Sequence, residues 1–176
     1  MIDQQNESDY VLDDVLQDGL DVVICGTAAG TRSAELGQYY AGPGNKFWPT
    51  LHEIGLTPRH LTPAEFPHLP EFGVGLTDLV KHNSGGDASL GQEDYDISGF
   101  REKILRYQPR LLAFNSKNAA AQAFNTKTKK VEYGFQQRQV GETRLFVLPS
   151  TSGAASKYWD AKHWHDMAHW LGRGVN

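Results

Sequence analysis

A single cysteine, Cys25, stands in the whole chain, so no disulfide can close within it. That fits a reducing compartment and leads to the expectation of a cytoplasmic protein. Long apolar runs are missing too. Nothing approaches the roughly 20 residues that a membrane helix needs, and no signal peptide is evident. An excess of positive charge is also absent: lysine and arginine number 17 against 21 acidic residues, for a formal net charge of −4. Any contact with nucleic acid must therefore rest on a local patch and not on a global basic footprint. Lys127, Lys129 and Lys130 form one cluster that reads either as such a patch or as a solvated loop. The seven histidines include His163, His165 and His169, but there is no HExxH and no set with zinc spacing. Neither a metal nor another cofactor is expected. Repeats and low-complexity tracts are lacking, so 176 residues predict one domain, 11–176, behind a polar, flexible segment, 1–10.

What is present centres on Val22 to Trp48, VVICGTAAGTRSAELGQYYAGPGNKFW. Four apolar residues, Val22 to Cys25, predict a strand buried on both faces. Gly26, Thr27, Ala28, Ala29 and Gly30 follow at once, and such small residues let backbone N–H groups approach a bound group closely. A loop at the carboxyl end of a parallel strand is the usual ligand position in an α/β sheet. Tyr39 and Tyr40 precede the turn Gly42-Pro43-Gly44, and Asn45 stands where a helix N-cap belongs.

Further strands are predicted over about Gly73–Leu79, Leu111–Asn115, Gly134–Val140 and Arg144–Leu148. Helices are predicted over Asn45–Ile54, Ile97–Tyr107, Asn118–Phe124 and Tyr158–Leu171, with a short one through Val11, Leu12, Val15 and Leu16. Leu56 to Glu71 holds four prolines and reads as an irregular crossing with at most a helical turn. Lys81 to Tyr95 reads as a surface loop. Alternating strands and helices predict a three-layer α/β/α sandwich around a mainly parallel sheet of four or five strands.

The first stretch resembles the first active-site motif of the mismatch-specific uracil-DNA and thymine-DNA glycosylases, within the uracil-DNA glycosylase superfamily. Val147 to Ser156, VLPSTSGAAS, resembles that family's second motif, the segment that enters the DNA minor groove. Gly73 to Val80, GVGLTDLV, matches the strand between them, and the spacing agrees from about Val22 to Leu171. The resemblance implies a monomeric DNA glycosylase without metal or cofactor. It would flip uracil out of double- or single-stranded DNA, hydrolyse the N-glycosidic bond and leave an abasic site.

Residue by residue, the resemblance puts Gly26 to Gly30 along the base edge, Tyr40 at the ring-stacking position and Asn45 in the same pocket. Tyr40 also reads as a core aromatic beside the turn. Ser150, Thr151, Ser152, Gly153, Ala154, Ala155, Ser156 and Lys157 would meet DNA, although Ser150 to Ser152 also read as a serine-rich N-cap. Ala154 and Ala155 are small for filling the gap that a flipped base leaves, which Lys157 or Tyr158 could do instead. Arg32 and Lys46 read as phosphate contacts or as surface. No lysine is placed for Schiff-base strand cleavage, so no lyase step is expected.

One departure matters most. The family's first motif carries an asparagine that positions the attacking water, and Ala28 stands at that position. Asp78, in Gly75-Leu76-Thr77-Asp78, is the leading candidate to serve instead, as a carboxylate at the same sheet edge. It also reads as a cap or a loop salt-bridge partner. Asn83, Asp87 and Asn115 are outside candidates. Two other functions stay open: an impaired protein that binds uracil or abasic DNA, and a glycosylase for another deaminated base such as hypoxanthine or xanthine.

Overall fold

A computed structural model describes residues 9–174. Five strands form one sheet in the order β2-β1-β3-β5-β4. They are β1 (Val22–Gly26), β2 (Val74–Asp78), β3 (Leu111–Phe114), β4 (Gly134–Val140) and β5 (Thr143–Val147). All neighbours run parallel except the β4–β5 hairpin. The three-layer sandwich expected from the sequence is thus the observed one.

Alternation along the buried strands sorts the helices. Val22, Ile24, Leu76, Leu111 and Phe146 pack with α2 (Phe47–Glu53) and α5 (Ala161–Trp170). Val23, Cys25, Leu112, Leu145 and Val147 pack on the other face with α3 (Ile97–Tyr107) and α4 (Lys117–Phe124). Sheets covered on both faces need strands that are apolar throughout, and β1 is buried at every position. The α3 sequence supplies its own stops: Asp96 accepts from the Gly99 N–H at its start, and Pro109 follows its end.

Four expectations are corrected. The residues Val11 to Leu16 form no helix. Val15 instead pairs with Leu76, each backbone N–H donating to the other's carbonyl at 2.9 Å, so tertiary pairing overrides an i, i+3/i+4 apolar spacing. A helix absent from the prediction, α1 (Thr31–Leu36), follows the small-residue loop and ends at Gly37 in the left-handed conformation. Pro63–Phe72 is a ten-residue 3-10 helix, started by a Thr62/Glu65 capping box. The last predicted helix starts later than expected: Tyr158 closes a 3-10 turn, Gly153–Tyr158, and α5 begins after Asp160, which accepts from the Lys162 N–H.

Residues 1–8 of the expected flexible segment lie outside the described residues. Tyr10 lies within them, its ring 4.6 Å from the Lys103 Nζ and 5.0 Å from the Lys81 Nζ. Among the described residues, no helix is long and apolar enough to cross a membrane.

Candidate active site

Parallel register brings the carboxyl ends of β1, β2, β3 and β5 to one sheet edge, and a cavity of about 940 Å³ opens there. Gly26 ends β1 directly opposite Asp78, which ends β2. Only glycine fits at that point. A Cβ on Gly26 would lie 2.7 Å from Asp78 Oδ1 and 3.2 Å from the Tyr40 hydroxyl. The loop that follows is anchored through its carbonyls. Thr27 accepts from the Val80 N–H at 2.8 Å, and Ala29 accepts from the Gly85 N–H at 2.9 Å. Because a trans peptide points its C=O and N–H oppositely, the N–H groups of Ala28 and Gly30 face away from that second loop.

Most of the residues singled out in the sequence meet in this cavity. Gly26, Thr27, Ala28, Ala29, Gly30, Tyr40, Asn45 and Asp78 line one side. Ser150, Thr151, Ser152, Gly153, Ala154 and Ala155 line another. Ser156 and Lys157 are not in the wall: Ser156 accepts from Lys46 Nζ at 3.0 Å and Lys157 lies over the exposed Tyr158 ring. The second motif is held against the first by the Lys46 N–H, which donates to the Thr151 carbonyl at 2.9 Å. Asn115 fixes it from β3, donating to Thr151 Oγ1 at 3.0 Å and accepting from the Thr151 N–H at 3.2 Å. Ser116 caps α4, accepting from the Ala119 N–H at 2.9 Å.

Asn45 bonds as a cap does, its side chain accepting from the Phe47 N–H at 2.9 Å, although Lys46 is the residue flanking α2. Tyr40 stacks one face on Phe47, with ring centroids 4.0 Å apart, so it is both a core aromatic and a wall of the cavity. Its backbone takes φ 53°, and its hydroxyl is buried beside the Asn115 side chain, outside strict hydrogen-bond geometry. Asn83 is committed to Asp94 and to the Ser84 N–H, outside the cavity wall. Asp87 reaches the rim, accepting from Asn118 at 2.8 Å. Of the lysine cluster, only Lys129 lines the cavity. His163 packs on Tyr133 and His165 faces Glu53, so those two histidines do not converge.

The electrostatics depend on residues that the sequence reading passed over. Asp78 is only 5% exposed. Burial pushes its carboxyl up, Lys81 pulls it down, Asp14 pushes it up, and the Gly26 N–H pulls it down, leaving a pKa of about 6. Lys81, 7% exposed, is held by Asp14 Oδ1 at 2.7 Å and donates to the Tyr39 hydroxyl at 3.3 Å. Asp14 Oδ2 takes Lys103 at 2.6 Å, and Asp14 Oδ1 also accepts from the Thr77 hydroxyl at 2.7 Å. Burial works against the Asp14 carboxylate, but Lys81 and Lys103 outweigh it and hold its pKa below the usual range. Lys81 follows Asp78 by three residues, the one local signal that a cation backs the carboxylate. Asp14 gives no such signal.

The arrangement suits a flat polar ligand held in a small-residue loop, with a buried carboxylate beside it. Comparison with known proteins identifies the class. The profile of the Uracil DNA glycosylase superfamily matches residues 14–171. The fold is similar to a solution NMR structure of a candidate uracil DNA glycosylase from Methanosarcina acetivorans. Identity is 23% over 92% of this chain and 96% of that one, with a TM-score of 0.59. The match runs from Asp14 to Leu171, spanning the whole sheet and all of the cavity wall but Leu12, and so the chain belongs to the uracil DNA glycosylase superfamily, enzymes that cleave N-glycosidic bonds in DNA.

Proposed function

We propose that the protein is a monofunctional glycosylase that extrudes uracil from DNA and hydrolyses it off, and that it lies nearest the mismatch-specific branch. The observation that carries this reading is Asp78, a buried carboxylate facing Gly26 in the wall of a cavity built from both motifs. The N–H groups of Ala28 and Gly30 are the donors offered to the base edge, and Tyr40 bounds the ring.

As the N-glycosidic bond breaks, its electron pair leaves with the base and positive charge develops on the sugar. With a pKa of about 6, Asp78 is about nine-tenths ionised at pH 7. Its charge then opposes that of the sugar in a site with little solvent screening. Water adds to C1′ and gives up a proton, which the Asp78 carboxylate accepts. Ser150 and Ser152 supply short donors to the strand, and hydroxyls of this kind position phosphates. The abasic strand is the product.

Ala28 favours a second reading, that of a protein binding uracil or abasic DNA without efficient turnover, because a methyl group cannot orient water. Single-turnover cleavage of a labelled uracil oligonucleotide separates the two. Wild type should cleave, while Asp78→Asn should bind and not cleave. Tight binding by wild type without cleavage establishes the second reading, and undiminished cleavage by Asp78→Asn removes Asp78 from the chemistry.

A further inference from the structure

The cavity is larger than one base requires. At about 940 Å³ it stands at the top of the range for small-molecule sites, roughly 300–1,000 Å³. The surplus extends beyond Asn115 towards Lys117, Lys129, Tyr133 and Tyr158, residues that the base reading leaves unused. Tyr158 is 61% exposed, far more than the other large side chains counted as exposed hydrophobics. Lys157 Nζ lies 4.8 Å from the centre of its ring, and Lys117 Nζ lies 4.4 Å from that of Tyr133. Burial, then the nearby Tyr158 phenol, pushes the Tyr133 phenol up. Tyr158, Lys117 and Lys129 therefore line the cleft together, in a protein of net charge −4, while the Tyr133 ring already packs on Lys117 and His163. One acid, Asp87, shares that rim, and it is bonded to Asn118.

We propose that Tyr158 forms a second subsite, which stacks the base next to the extruded nucleotide while Lys117 and Lys129 meet the intervening phosphates. Aromatic faces bind any base because every base has a π-face, and lysines on the same groove track the backbone. The subsite rests on the DNA reading above and adds to it a preference for an unpaired neighbour. It differs from a plug inserted into the duplex, because its ring lines the wall of the cleft itself.

The test uses single-stranded oligonucleotides carrying a non-cleavable 2′-fluorinated deoxyuridine, with fluorescence anisotropy as the readout. A companion pair replaces the 5′ or the 3′ neighbour by a tetrahydrofuran that lacks a base. Wild type should lose about tenfold in affinity when one of the two neighbours is removed, since stacking of one base is worth that much or more. Tyr158→Ala should lose about tenfold on the intact strand and little further on the baseless one. Lys117→Gln should flatten the salt dependence by roughly 0.7 in log–log slope, one phosphate's worth for single strands. Tyr158 is exposed, so its removal leaves the fold intact. Equal binding of the intact strand by Tyr158→Ala and wild type overturns the subsite. So does an effect of Tyr158→Ala seen only on duplexes, which marks a plug. Wild type with no preference for the uracil strand over an undamaged one overturns the underlying base-pocket reading, whatever Tyr158 does.

Discussion

Replacing Asp78 by asparagine should stabilise the protein at neutral pH while removing its activity. The carboxyl pKa rises from an ordinary 3.8 to about 6 on folding, so the folded state binds the proton more tightly than the unfolded state does. A group of this kind costs nothing below pH 3.8, where both states are protonated. It costs progressively more as pH climbs through 6. A difference of about 2.2 units at about 1.4 kcal/mol each gives a ceiling of about 3 kcal/mol, reached above roughly pH 7. Asparagine keeps the shape and an acceptor for the Gly26 N–H but carries no charge to desolvate. Urea unfolding of both proteins should therefore give a gap, in favour of Asp78→Asn, of about 1.5 kcal/mol at pH 5 and about 3 kcal/mol at pH 8. A gap that does not change with pH, or a variant less stable at pH 8, refutes the electrostatic account of this site.

The rate of excision should rise with pH through about 6 and then level, following the Asp78 carboxylate. Lys81→Met should move that limb to higher pH, because it removes the cation that pulls the Asp78 carboxyl down. An unshifted limb in a pH–rate series would mean that Lys81 does not feel Asp78. Gly26→Ala should lower single-turnover cleavage by roughly a hundredfold or more, since its Cβ would meet Asp78 Oδ1 at 2.7 Å and displacements of about 1 Å carry that cost.

Whatever depends on local pattern was legible in the sequence. The apolar runs that became β1, β2, β3 and β5 needed only their β-branched and aliphatic content and the loops after them. The helix read from the sequence over Ile97–Tyr107 matches α3 to the residue. Segments defined by distant partners were not legible. Val11 to Val15 carries a helical spacing, and its pairing with Leu76, more than sixty positions away, decides its shape. The α1 sequence buries only Ser33, so it offers no apolar stripe to find. In the site, the small-residue loop, Tyr40, Asp78 and the second motif could be found because each sits in a motif. The set Asp14, Lys81 and Lys103 could not, since its members lie on three separate elements and charged residues ordinarily face water.

The pairing of Val15 with Leu76 reaches beyond the site. In the order β2-β1-β3-β5-β4, β2 is an outermost strand, and an uncovered outermost strand invites a second chain to add to it. The backbone from Val11 to Val15 occupies that flank, bonding to Lys81 and Leu76. The same five residues carry Asp14 to the lysines near Asp78. Protection from edge-to-edge aggregation and the charge environment of the proposed catalytic carboxylate are thus served by one short segment. A substitution that loosens it, such as Val15→Pro, should raise aggregation and weaken the electrostatic support of Asp78 together.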